Sequence, residues 1–596
     1  MSLDQKTLDL LTAKDNLLEA QWLDAKTIVY LQATVQRWEL WQHSEEGDQP
    51  INQTVSIGSA LPYSGQFVLV SDNGLLAMAL DHTVHDMREG SSWDLPGPST
   101  DLVEDFQKKM SFISFDPETG LDSIYLRTGD RNDKIWSSRT YIRHLQWHPT
   151  SARCLFLSWS RDELPWHAAE LRVLGAGSGE AASIFPPGLK DYPCGEACYS
   201  PNGEYIAATF LTGDFFQLWL YKIKTENWVQ LSFENREHSF PLRRSSRRSI
   251  AFLSDRSLVG LSSEKAFWQI FTLDIHGHSK IVPSPMTHLQ NLRVNPSTHE
   301  ILTLTSGIQF PEQITRFARK GHAWLSKADG AHVSTKLKSE PIAWATDSGE
   351  MVHGILYRDR NAKTPSPLLI PIHGGPSDAV HASWPSKALA FVQQGYVVLY
   401  VNYRGSWGYG YNYHQSLAGH WGDREIKDCV SGVRSLKDSE WIDPKRVGLW
   451  GGGTASFTVL WALIKHPEVF HAGVAVFPIL DLVHHFAACS PAERTELLWA
   501  LGSDDPKVWA ERSPVHSLGK IQRPLALFAG RQDKLVDIAG LEKLADDLKT
   551  NKVPCWLSLY ETEGRSWRSH ETYIDYYSKV AGFFDRFLRF RNVDEQ

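Results

Sequence analysis

The chain has 596 residues, 42% of them hydrophobic and 22% charged, and a formal net charge of −8 from 61 basic and 69 acidic side chains. A single hydrophobic core stops growing near ~250–300 residues, so at least two domains are required, and an acidic balance offers no electrostatic footprint for a polyanion, which excludes nucleic acid as the expected partner. The opening Met1-Ser2-Leu3-Asp4-Gln5-Lys6-Thr7 lacks the basic and long apolar regions of a secretion signal, and no run of about 18 apolar residues occurs, so no membrane association is expected and the chain reads as cytoplasmic.

From about residue 20 to 335 a loose unit repeats: an apolar or aromatic strand, a polar turn, another strand. Examples are Thr27-Ile28-Val29-Tyr30-Leu31, Leu75-Leu76-Ala77-Met78-Ala79-Leu80, Cys154-Leu155-Phe156-Leu157-Ser158-Trp159, Tyr205-Ile206-Ala207-Ala208-Thr209-Phe210 and Ile301-Leu302-Thr303-Leu304. Turn phrases precede several of them, most clearly Ser200-Pro201-Asn202-Gly203-Glu204, with echoes at residues 148–151, 253–256 and 295–298. A spacing of about 40 to 55 residues is the period of four-stranded propeller blades. Residues 1–340 are therefore expected to form a β-propeller of about seven blades, with the many Trp and Phe side chains packing between blades. The six cysteines are thinly spread, which predicts free thiols in a reducing compartment.

Residues 341–596 follow a different pattern. Apolar strands at 368–372, 396–401, 447–450, 472–477 and 524–529 alternate with helical patterns at 384–394, 423–437, 454–465, 538–549 and 571–589. Short continuous apolar strands separated by amphipathic helices predict a mostly parallel sheet covered on both faces. Within it, Arg446-Val447-Gly448-Leu449-Trp450-Gly451-Gly452-Gly453-Thr454-Ala455 has the strand and sharp glycine turn of a nucleophile elbow, but Gly453 stands where such a turn presents a serine. Asp481, His484 and His485 carry metal-type donors, yet adjacent positions rarely serve one ion, and no metal or other cofactor is expected.

The order of propeller then α/β domain, with His373-Gly374-Gly375-Pro376, Asn402-Tyr403-Arg404-Gly405-Ser406-Trp407-Gly408-Tyr409-Gly410, Trp421-Gly422, Asp428 and the elbow, resembles the prolyl oligopeptidase family of serine peptidases, in its acylaminoacyl-peptidase and dipeptidyl-peptidase-like branch. The resemblance implies an α/β-hydrolase domain with a Ser, Asp, His triad and a propeller that caps the site. Position by position it implies that Asp533, in Gly530-Arg531-Gln532-Asp533-Lys534-Leu535-Val536, is the retained acid, that Gly453 replaces the nucleophile, and that Arg565 replaces the base. It also implies that His373, Gly374 and Gly375 shape the oxyanion side, where Thr454 supplies the backbone N–H after the nucleophile position and Tyr403 and Trp407 line the pocket.

Without its nucleophile and its histidine a triad retains only binding and oxyanion stabilisation, and arginine, with a pKa above ~12, cannot act as the base. Arg565 is expected instead to form an ion pair with Asp533. Thr454, Ser456 and His570 are the residues whose chemistry could rescue hydrolysis. The expected function is that of a pseudopeptidase binding a peptide, small molecule or protein partner. The alternatives are an enzyme that turns the pocket and its oxyanion donors to cyclisation, isomerisation or condensation, and a hydrolase using unorthodox residues. A small molecule or short peptide in the interdomain cavity is the expected ligand, with a protein partner or self-association as the further possibility.

Overall fold

This is a computed structural model of the chain; it describes residues 109–589 apart from 176–178, 242–247, 319–320, 325–336 and 363–364, together with residue 107 and the strands between residues 16 and 104. The chain divides into two compact units, Lys14–Asp329 and one that takes in Gly330–Gln596.

The first unit is a succession of seven antiparallel sheets, at 16–56, 67–94, 99–138, 141–183, 194–230, 250–282 and 288–324. Each has four strands paired in sequence order, and the first carries an added strand, Val55–Ser56. The expected turn phrases all fall between the first and second strands of their sheets. In the clearest of them Tyr205 N–H donates to Ser200 Oγ at 3.0 Å and Glu204 N–H to Asn202 Oδ1 at 3.0 Å, while Gly203 takes φ 72°, so the side chains and the glycine set the reversal together.

Alternation along one strand then joins neighbouring sheets. In Arg153–Trp159, Leu155, Leu157 and Trp159 pack with Tyr199 and Ile206 of the next sheet, whereas Cys154 and Phe156 pack with Ile113 and Ile124 of the preceding one. The first strands of successive sheets lie side by side, and that of the first sheet lies beside that of the last, which closes a seven-bladed ring. These first strands are also stitched together. His144 N–H donates to Asp101 Oδ2 (3.0 Å), Tyr199 N–H to Gln146 Oε1 (2.9 Å), Ser249 N–H to Glu196 Oε2 (2.8 Å) and Leu292 N–H to Arg248 O (3.0 Å), each reaching back one blade.

In the second unit, numbered within itself, the strands are β1 Leu337–Ala345, β2 Met351–Asp359, β3 Ser366–Ile372, β4 Val397–Asn402, β5 Ile442–Gly452, β6 Ala472–Val476, β7 Leu525–Gly530 and β8 Cys555–Tyr560. Their order is β1-β2-β4-β3-β5-β6-β7-β8; β1, β2 and β4 pair antiparallel and the rest of the sheet is parallel. This is the α/β-hydrolase arrangement that the sequence predicts. Because β1 pairs with β2, the domain boundary lies before Leu337 and not at 340/341, where it would cut a strand. The helices of this unit include α1 Ser386–Gln393, α2 Arg424–Leu436, α3 Thr454–Lys465, α4 Leu482–Ala488, α5 Pro491–Leu501, α6 Ile538–Thr550 and α7 His570–Phe584. Strands β6 and β7 are buried along their whole length, as expected of central parallel strands covered on both faces.

All six cysteines are thiols, five of them buried. Among the described residues no helix is long and apolar enough to cross a membrane.

Candidate active site

The elbow is intact in backbone and empty in side chain. Gly453, between β5 and α3, takes φ 58° and ψ −121°, a left-handed conformation that an L side chain adopts only at a cost. Its N–H donates to Val476 O at 2.9 Å, which ties the turn to β6. Gly451 could not be another residue without displacement, since a Cβ there would stand 2.6 Å from Ala455 O. A Cβ on Gly453 would meet something else: Arg565 Nη2 at 3.5 Å, an ordinary contact. The guanidinium thus lies beside the place from which a nucleophile would project.

Arg565 is held there by the loop after β8. Glu563 is buried, its carboxylate accepts the N–H groups of Arg568 (2.7 Å) and Ser569 (3.0 Å), and its carbonyl accepts Gln532 N–H at 2.9 Å, so the loop is fixed at both ends. The expected pair of Arg565 with Asp533 does not form. Arg565 Nη2 instead donates to Glu493 Oε1 at 3.3 Å, and His485 Nε2 lies 3.2 Å from the same oxygen. Burial alone would raise the Glu493 pKa, but the His485 and Arg565 contacts prevail and hold it below the ordinary glutamate value.

Asp533 is 6% exposed. Its Oδ1 accepts Leu535 N–H at 2.9 Å, while Oδ2 is buried without a hydrogen-bond partner. Burial pushes its pKa up, against the opposing pull of the Leu535 N–H and of Arg565. Arg565 Nη1 and His485 Nδ1 are likewise buried without a partner. The site therefore holds three unsatisfied polar atoms.

On the oxyanion side, the loop after β3 meets the start of α3. Gly375 N–H donates to Thr454 Oγ1 at 2.9 Å. His373 Nε2 lies 2.7 Å from Ser406 Oγ, and its ring stacks on Tyr403 at 4.2 Å between centroids. Tyr403 and Trp407, expected on the pocket wall, are both buried, and the Tyr403 hydroxyl donates to His373 O (3.2 Å) and Pro376 O (2.6 Å). Their own loop is anchored by Asp428, which accepts Arg404 N–H at 2.7 Å and Arg404 Nη2 at 2.6 Å. Ser377 Oγ donates to Glu496 Oε1 at 2.8 Å, so α5 braces the glycine loop through Glu496 and Arg565 through Glu493.

Thr454 turns its hydroxyl to the glycine loop. Ser456 is fully buried, donates to Gly453 O and accepts Ile479 N–H at 3.1 Å. His570 is exposed at the first position of α7, while the charged groups acting on Asp533 are Arg565, His485 and Glu493. Among the described residues no group of three or more His, Cys, Asp or Glu side chains is placed to hold a metal. Sequence reasoning missed Glu493 and assigned His485 no role. The available signal was that an arginine replacing a buried base requires a counter-charge.

Residues 382–591 match the family model described as "Prolyl oligopeptidase family". The chain is 31% identical over 206 residues to the acylamino-acid-releasing enzyme of Homo sapiens, covering 33% of this chain and 28% of that enzyme. It is 23% identical over 531 residues to dipeptidyl-peptidase 5 of Porphyromonas gingivalis, covering 85% of this chain and 70% of that one. The chain spans about a third or less of the first curated relatives it matches, 28%, 33% and 30% of their lengths. The structure of a puromycin-hydrolyzing peptidase from Mycobacterium tuberculosis superposes with a TM-score of 0.88 at 19% identity, over 99% of this chain and 97% of that one, a likeness of fold.

Proposed function

We propose that this chain is a non-hydrolysing member of the prolyl oligopeptidase family, whose model matches residues 382–591, a pseudopeptidase that binds a small molecule or short peptide at the vacated elbow. One observation carries the reading: the nucleophile position is glycine, and the space before it is bordered by Arg565, whose guanidinium is held by Glu493. Triad acyl transfer requires a nucleophilic side chain and a neighbour that takes and returns a proton. Arginine stays charged at all working pH values and serves as neither. The engagement of Gly375 N–H by Thr454 counts against the reading as a repurposed enzyme, because it leaves one fewer free donor for a developing oxyanion. Thinly spread thiols favour action in the cytoplasm.

The test is a serine-directed fluorophosphonate probe and a panel of aminoacyl and dipeptidyl chromogenic substrates, applied to the wild-type chain and to the double variant Gly453→Ser/Arg565→His. The expected result is silence in the wild type and labelling in the double variant. Wild-type turnover that tracks the purified chain overturns the reading.

A further inference from the structure

Two hydrogen-bond donors border the vacated elbow, one from the backbone and one from a side chain. Thr454 occupies the first position of α3, a 12-residue helix, where a backbone N–H has no intrahelical acceptor. The residue after a nucleophile position turns that N–H towards the reacting carbonyl. Arg565 adds Nη1, buried without a partner, and places Nη2 3.5 Å from the Cβ that Gly453 lacks. Two further polar atoms of the site are unsatisfied, Asp533 Oδ2, on a side chain more than nine-tenths buried, and His485 Nδ1. A group supplying two acceptor oxygens would satisfy the Thr454 and Arg565 donors together.

We propose that the elbow is a carboxylate site, in which one ligand oxygen takes the place of the missing serine oxygen beside Arg565 and the other accepts the Thr454 N–H. The ligand supplies the oxygen that the protein has lost. A free carboxylate at the end of a short peptide or of an acyl chain carries this chemistry, and the site distinguishes it from the corresponding amide or alcohol. Charge-assisted hydrogen bonds to arginine are about twice as strong as neutral ones. The Glu493 carboxylate, which takes Nη2 through one oxygen at 3.3 Å, both orients the guanidinium and offsets part of its charge. This inference rests on the reading of the site as non-hydrolytic.

The experiment is calorimetric titration of the full chain with two matched pairs: an N-acetylated dipeptide as free acid and as C-terminal amide, and 4-phenylbutyrate with 4-phenylbutanol. The acid of at least one pair is expected to bind about tenfold or more tightly than its neutral partner, and which pair responds identifies peptide or acyl chain as the source. Arg565→Gln should abolish the preference and Gly453→Ser should weaken acid binding by filling the oxygen position. Glu493→Gln should strengthen the preference, a gain that a misfolded protein could not give. Equal binding of acid and neutral forms, no acid binding at millimolar concentration, or a preference that survives Arg565→Gln overturns the proposal. The phenylbutyrate pair has no hydrolysable bond, so its result stands apart from the functional reading, which fails instead if the dipeptide is cleaved.

Discussion

Thr454 Oγ1 and the Gly375 N–H are 2.9 Å apart, so a side chain of the elbow itself takes up a donor that a hydrolase would turn towards an oxyanion. In the double variant Gly453→Ser/Arg565→His, adding Thr454→Ala should release that donor and raise the rate of fluorophosphonate labelling about tenfold. Comparing labelling rates of the double and triple variants measures this. Equal rates would mean that Gly375 N–H is not directed at the reacting centre.

The elbow conformation is tolerated because glycine occupies it. Gly453→Ala leaves only an ordinary 3.5 Å contact to Arg565 Nη2, so the main cost is that of holding a Cβ-bearing residue at φ 58°. A loss of about 1–2 kcal/mol is expected. Denaturant unfolding of the two proteins gives the difference. An unchanged midpoint would show that the elbow relaxes when strained.

Glu493 answers for the charge of Arg565. Its pKa lies below the ordinary value, so it contributes stability at neutral pH that is lost as pH falls through its folded value. Glu493→Gln should lower the midpoint of thermal unfolding at pH 7, by an amount corresponding to about 1 kcal/mol for this partly exposed pair. The gap between the two proteins should close as the buffer is taken below the carboxylate range. A gap independent of pH would assign Glu493 a packing role alone.

In the propeller, burial pushes the Glu237 pKa up to about 8, and its Oε1 has no hydrogen-bond partner. Here the sign is reversed. The folded state keeps a proton that the unfolded chain releases above about 4.5, so stability falls as pH rises towards about 8. Glu237→Gln, which mimics the protonated form, should leave the unfolding midpoint near that of the wild type at pH 4 and raise it at pH 9. Each unit of pKa shift corresponds to about 1.4 kcal/mol. Parallel melts across that range decide the matter.

What the sequence made legible was local. The elbow, the glycine loop and the acid loop are short phrases whose shape is set within a few residues, and the structure places Gly453, Gly375 and Asp533 in those loops. Blade turns were readable for the same reason. The partner of Arg565 was not readable, because Glu493 lies 72 positions away and its neighbourhood has a sufficient local explanation: Ser490 accepts Glu493 N–H at the start of α5, the pattern of an ordinary helix cap. An aromatic residue beside a glycine loop suits pocket wall and loop brace alike, and the bonds of the Tyr403 hydroxyl to His373 O and Pro376 O could not be read from the sequence. The boundary at 340/341 failed because β1 is an edge strand with mixed burial, without the apolar run that marks the central strands.

The four hydrogen bonds described between the inner ends of the third to seventh blades run in one sense, each later blade giving an N–H to the one before it. That seam has a direction. Removing the acceptor at Glu196 strands a donor in the sixth blade and leaves the fourth untouched, so damage should travel forward along the chain from the point of substitution. Insertions in the outermost strands, which take no part in this seam, should be absorbed by the blade that receives them.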